Sequence, residues 1–215
     1  QEFIRVTHEA YAAEFGEDFG DTVPGIFTDE PQHLAKDSCT EDENGNLVRR
    51  MPWTPRLPEV FSERYGYDLL PHLVALFFNP EGEAFSQARY HFHECVAFLF
   101  CDAFARQLGE WCERHGLEHT GHLMDEPTLS LQNLHVSDCM RFYEYMQAPG
   151  MDLLTQHHRE YDTAKQVTSV AHQFGQKWRL SETYGCTGWD FPFLGHKALG
   201  DWQAALGINL RCQHL

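Results

Sequence analysis

The sequence predicts an α/β fold, a partial (β/α)8 barrel of about five parallel strands joined by helices. Three observations carry this. Short extended runs alternate with amphipathic helical stretches along the chain. The connections between successive runs are too long for hairpins, and most hold a helix, as parallel pairing requires. Carboxylates and histidines recur just after the extended runs, whereas the opposite ends begin with Val23, Leu117 and Lys177. That asymmetry is expected where a ligand site is built from loops beyond the carboxyl ends of parallel strands.

Taken in order, Phe3, Val6, Tyr11 and Phe15 keep helical spacing, and Gly16 and Gly20 mark the stop. Residues 22–28 form the first strand, ending in Asp29-Glu30-Pro31. Residues 32–57 are polar and turn-rich, and at that length they predict a functional loop. With two short helices at Leu57–Tyr65 and Leu69–Phe77, the span 32–82 is expected to be an excursion over the active face. From Glu83 to Arg114 the residues Phe85, Ala88, Phe92, Val96, Leu99 and Ala103 step by three or four, predicting one long helix that Gly116 follows. Strands are then expected at Leu117–His122, Gly150–Thr155, Lys177–Ser181 and Gly207–Cys212. The helices between them fall near Ser137–Met146, Glu160–Phe174 and Phe193–Leu206.

The chain has 215 residues, of which 16 are basic and 32 acidic, a net charge of −16 with neutral histidines. Scattered basic residues and this sign argue against a nucleic-acid partner or an anionic membrane surface. The longest apolar run, Cys95–Cys101, is far short of the roughly 20 residues that span a bilayer. Seven cysteines without a CxxC pair read as reduced thiols, which favours a cytoplasmic location. Residue 1 is Gln and both ends fall inside patterned segments, so the chain is expected to be one piece of a single catalytic barrel domain, truncated at both ends.

Two carboxylates on different strand ends can flank one glycosidic bond, one protonating the leaving oxygen while the other attacks carbon or activates water. Glu30 and Glu182 are the first pair, and Glu126 in Asp125-Glu126-Pro127 is the third candidate. For any single Asp-Glu-Pro the bland alternative is a solvated turn. Around the carboxylates, Asp29, His122, Asp152 and His157 are candidate substrate contacts. Trp53, Tyr184 and Trp189, in expected loops, are candidate platforms for the apolar faces of sugar rings. Trp111, Trp178 and Trp202 are assigned to packing.

The fourteen histidines raise a metal hypothesis. His91 and His93 point to different faces of a helix, and His119 and His122 to opposite sides of a strand, so neither pair chelates. An oxygen-rich cluster of Asp29, Glu30, Asp125 and Glu126 would suit a hard cation such as calcium rather than zinc. No cofactor is required by the residues alone. Gly-rich phosphate loops are absent. Two competing readings are a noncatalytic carbohydrate-binding protein, which would keep the aromatics without needing paired carboxylates, and a metal-dependent barrel hydrolase.

The segments Phe27-Thr28-Asp29-Glu30-Pro31, Pro52-Trp53-Thr54, Arg64-Tyr65-Gly66-Tyr67-Asp68-Leu69, Thr120-Gly121-His122 and Leu180-Ser181-Glu182-Thr183-Tyr184-Gly185-Cys186-Thr187-Gly188-Trp189-Asp190 resemble the large bacterial glycoside hydrolases grouped with the α-L-rhamnosidases of family 106. The likeness spans most of the chain, and its Ser-Glu-Thr-Tyr-Gly segment followed by Gly-Trp is the distinctive part. The resemblance implies a catalytic (β/α)8 barrel completed by further strands and accompanied by β-sandwich domains. It further implies an inverting hydrolase of rhamnose-containing glycans, with strand-end glutamates as acid and base and a calcium ion near the sugar. Glu30, Glu126 and Glu182 are the positions onto which those roles fall, with calcium near Glu126.

Overall fold

A computed structural model describes residues 1–33, 39–79, 85–155 and 161–214. Five parallel strands form one curled sheet, half of a barrel wall: β1 (Gly25–Thr28), β4 (Glu118–Gly121), β5 (Ala148–Leu153), β6 (Leu180–Thr183) and β7 (Leu210–Gln213), in that spatial order. Within this sheet each strand pairs with the next one that the chain contributes to it. The predicted fold class is the one found. The strands are shorter than, or shifted from, the runs read in the sequence. β6 and β7 begin three residues later than expected because Arg179 is drawn into the turn before them, its Nε donating to Gly207 O at 2.9 Å and its N to Asn209 Oδ1 at 2.8 Å.

Register divides the sheet into two faces. Asp152 pairs with Glu182, and Glu182 with Cys212, so these side chains share the concave face. Between them, Met151 and Leu153 point the other way and pack with Ala164, Val167 and Val170 of α9 (Tyr161–Phe174). The same alternation sends His119 outward to Thr28, with Nε2 3.3 Å from Oγ1, while His122 comes to the concave side. Burial pushes the His119 imidazole down to about 3, so it is a neutral core side chain. α10 (Phe193–Ala205) covers β6 through the fully buried Gln203, whose Nε2 donates to Ser181 Oγ at 2.9 Å and Thr183 Oγ1 at 3.2 Å.

The amino-terminal helix is split at Thr7 into α1 (Glu2–Val6) and α2 (His8–Phe15). Inside the 32–57 span, β2 (Cys39–Glu41) and β3 (Leu47–Arg49) form an antiparallel hairpin where only loop was expected. Its turn is closed by Asp42, whose carboxylate accepts from the backbone N–H groups of Asn44 and Asn46. α3 (Leu57–Tyr65) and α4 (Leu73–Phe77) pack on α5 (Gln87–Phe100) through a core that includes Leu57, Phe61, Leu69 and Phe92. α5 starts at the Ser86 cap, whose hydroxyl accepts from Arg89 N.

The expected long helix is interrupted. Residues Cys101–Ala105 form a π-helical turn before α6 (Arg106–Arg114). The apolar stripe read through Leu99 and Ala103 accordingly ends at the turn: Cys101 and Ala105 are buried and Ala103 is exposed. A further helix missed in the sequence, α7 (Leu129–His135), follows the Thr128 cap, and α8 (Cys139–Tyr143) lies within the predicted 137–146 helix. Among the described residues no helix is long and apolar enough to cross a membrane. Six described cysteines are free thiols, four of them buried.

Candidate active site

The chemistry gathers at the carboxyl ends of the strands. Extended chain delivers Asp29 and Glu30 from β1, His122 from β4, Asp152 from β5 and Glu182 from β6. His122 is the hub. Its buried ring sits with Nε2 2.9 Å from Glu182 Oε2 and 3.3 Å from Asp29 Oδ1, and candidate ligand atoms of Asp29, Glu30 and His122 all lie within 4.8 Å of one another. Two acidic acceptors facing Nε2 place a hydrogen on that nitrogen. The imidazole thereby aims the Glu182 carboxylate across the concave face, and Phe27 braces the ring edge-on at 5.6 Å.

Close approach of backbone makes this placement depend on glycine. Gly121, just before His122, has φ of +126°, and a Cβ there would stand 2.0 Å from Thr28 O. Only glycine permits β1 and β4 to converge so tightly beneath the histidine.

Glu30, Leu123, Asp125, Glu126, Asp152 and Leu154, with Pro127, line a cleft of about 180 Å3. Burial raises the Glu30 carboxyl above the ordinary value; His122 opposes this, while Asp29, Asp125 and Glu182 add to it. Burial pushes Asp152 up to about 6, again against His122 and with the help of Glu182 and Glu30. Both groups hold protons at higher pH than free carboxylic acids because several carboxylates cannot all ionise in one partly desolvated space. Non-glycine residues with positive φ cluster on this rim: Glu30 (+43°), Asp125 (+53°), Thr155 (+61°) and Tyr184 (+75°) follow four successive strands. Such strained backbone concentrates at ligand-binding sites.

Glu126 occupies a different environment from its rivals. Its Oε1 accepts from Tyr143 OH at 2.6 Å and from Leu123 N at 3.1 Å, and its Oε2 accepts from Asp152 N at 3.1 Å. With both oxygens engaged by protein donors and only 3% of its surface exposed, it clamps the β4 loop to β5 and α8. Burial nonetheless lifts its carboxyl to about 7. These hydrogen bonds make it a brace between the elements, at a position that also lines the cleft.

A second cavity, about 330 Å3, lies at the carboxyl ends of β6 and β7 and is lined by Tyr184, Cys186, Trp189, Phe191, His196 and His214, with Thr187 and Gly188. Trp189 is fully exposed at its rim. Tyr184, expected as a free platform, is mostly core: its ring packs with Phe191 and His196 and its hydroxyl donates to His196 O at 3.1 Å. Trp53 lines neither cavity. It sits in a third one with His33, Leu57, Val96, Leu99 and Phe100, where α3 meets α5. His157 lies outside the described residues. Arg211, on β7, lays its guanidinium against Gly200 of α10.

Sequence reasoning missed the Tyr143 clamp on Glu126 and the pairing of Asp125 Oδ2 with His135 Nε2 at 3.1 Å. Neither partner lies near a strand end, so position along the chain held no signal for them.

No protein-family model and no curated protein matches the sequence. Among solved structures, the fold is similar to that of a rhamnosidase from Novosphingobium sp. PP1Y, with a TM-score of 0.62 and 21% identity over 78% of this chain. The match spans 16% of that protein. At this identity the likeness is one of fold: the half-barrel described above is an arrangement that a known glycosidase also contains.

Proposed function

We propose that this chain is part of a glycoside hydrolase, of the α-L-rhamnosidase kind, with Glu182 and Glu30 as its working carboxylates. The single observation that carries the reading is the convergence of Glu182, Asp29 and Glu30 on one buried histidine at the carboxyl rim of a parallel half-barrel. The fold likeness to a rhamnosidase is in keeping with it.

In this reading Glu182, oriented by the His122 N–H, is the base or nucleophile on one side of the scissile bond. Glu30, whose proton is held by burial and acidic neighbours, protonates the leaving oxygen. Asp152 retains a proton to about pH 6 and donates a hydrogen bond to a sugar hydroxyl. Asp29, largely exposed, accepts one.

The residues fit the calcium implied by the family resemblance poorly. A hard cation seeks six to eight oxygens, and both Glu126 oxygens are already taken. The Asp29–Glu30–His122 group offers a nitrogen whose hydrogen faces Glu182. A cation there would also keep Glu30 ionised and strip it of its proton.

The test is turnover of aryl glycosides, including an aryl α-L-rhamnoside, by the intact protein containing this chain. Release of the phenol supports the proposal. Saturable glycan binding with no release on any glycoside would favour the noncatalytic alternative.

A further inference from the structure

Two cavities share the rim of the half-barrel, and a single contact divides them. Leu154, after β5, lines the carboxylate cleft, and Gly185, after β6, adjoins the aromatic cavity. A Cβ on Gly185 would stand 2.9 Å from Leu154 Cδ2 and 3.7 Å from the His214 ring. Leu154 and Gly185 thus meet between the two cavities. Glu182 lies on β6, two residues before Tyr184 opens the aromatic side.

The aromatic cavity is built beforehand. Thr155 N donates to Gly185 O at 2.8 Å, Thr187 Oγ1 to Tyr184 O at 2.7 Å, and Phe191 N to Gly188 O at 3.3 Å. Positive φ at Tyr184 and Cys186 is held in place by this network. On so fixed a loop, Trp189 belongs to no core cluster of the described residues, and a rigid, uncovered indole is a stacking surface for an apolar ring face.

Charge then narrows the ligand. Among the described residues, neither cavity is lined by a lysine or arginine, and the cleft holds Glu30, Asp125, Glu126 and Asp152. Anionic groups are disfavoured by like charge in such a space. Among the described residues that line the two cavities, uronic acids and sulfated sugars meet no lysine or arginine.

We infer that the aromatic cavity is the subsite for the leaving-group sugar, that it takes a neutral pyranose stacked on Trp189, and that the terminal sugar occupies the carboxylate cleft across the Leu154–Gly185 divide. This rests on the hydrolase reading and specifies its substrate: a neutral di- or oligosaccharide cut at its end. The exposed Trp189 rim leaves room for the glycan to continue outward.

The experiment is steady-state kinetics of the intact protein on three substrates with one terminal sugar: its methyl glycoside, a disaccharide with a neutral leaving pyranose, and the matching disaccharide with a uronate. Wild type is expected to prefer the neutral disaccharide over the uronate by about tenfold or more in kcat/KM. Trp189→Ala is expected to raise KM for the neutral disaccharide about fivefold to tenfold while leaving the methyl glycoside within about twofold, and Trp189→Phe to restore most of the loss. Gly185→Ala, which crowds the divide, is expected to act in the same direction as Trp189→Ala. Equal losses on the methyl glycoside and the disaccharide, no loss on either, or a preference for the uronate would each overturn the inference while leaving the hydrolase reading intact. Absence of turnover on every glycoside tested would overturn both.

Discussion

Asp152 and Glu182 are register partners on adjacent parallel strands, and the Glu182 carboxylate adds to the burial that holds a proton on Asp152 up to about pH 6. Above that pH Asp152 is itself a negative charge in the cluster around Glu30. Asp152→Asn removes that charge, which makes ionisation of Glu30 easier and lowers its pKa. If Glu30 is the proton donor, activity falls as it ionises, so the alkaline limb of the kcat/KM profile should move to lower pH in the variant. An unmoved or upward-shifted limb would assign proton donation to another group.

Glu182→Gln keeps the size of the side chain and one acceptor for His122, but it has neither the basicity nor the charge of a carboxylate. Turnover of an aryl glycoside is expected to fall about 10²- to 10⁴-fold, chiefly in kcat. A variant with near-normal kcat would take Glu182 out of the catalytic pair.

Glu126 carries a stability prediction. Its carboxyl is buried and raised from 4.5 to about 7, so the folded state binds its proton more tightly than the unfolded chain does. The stabilisation from that proton is complete below about pH 4.5 and is lost as pH rises through about 7, a change of about 3 kcal/mol. The wild-type melting temperature should therefore decline between pH 5 and pH 8. Glu126→Gln, neutral throughout, should flatten the decline. Parallel pH profiles for the two proteins would mean that Glu126 is already ionised at pH 5.

For metals, the poor fit of the histidine-centred group to calcium leads to a two-part expectation. Treatment of the intact protein with EDTA should leave turnover within about twofold. Excess zinc should inhibit by engaging His122 with Asp29 and Glu30. Loss of activity on chelation, restored by added calcium, would show that a cation belongs to the site.

Gly121→Ala brings a methyl group against Thr28 O, to 2.0 Å without relaxation, at a residue with φ of +126°. A loss of more than about 3 kcal/mol is expected. A thermal melt within about 2 °C of wild type would mean that β1 and β4 separate at little cost.

The sheet was legible because each strand and each packed helix announces its partner by period: Met151 and Leu153 alternate with Asp152, and Val167, Val170 and Ala171 keep helical spacing. The concave-face residues were legible for the same reason, since strand parity alone separates His122 from His119. Other features escaped because they depend on contacts distant in sequence. Glu126 reads like Glu30 until Tyr143, seventeen residues on, is seen to clamp it. Tyr184 reads like Trp189, yet packing with Phe191 and His196 buries one while the other stays in solvent. The hairpin at 39–49 depends on side-chain caps in its turn rather than on an alternating apolar pattern, so periodicity could not reveal it.

The π turn at Cys101–Ala105 has an effect on inheritance as well as on shape. One surplus residue in a helical turn rotates everything after it by about 100°, so α5 and α6 are a rod whose two ends are phased to different neighbours: Phe92 and Cys95 toward α3, Trp111 and Cys112 toward Leu117. Deleting any single residue of that turn would restore an ordinary helix and swing the Trp111 stripe away from its cluster. Point substitutions within the turn leave the phase untouched. This stretch should therefore accept changes of letter more readily than changes of length.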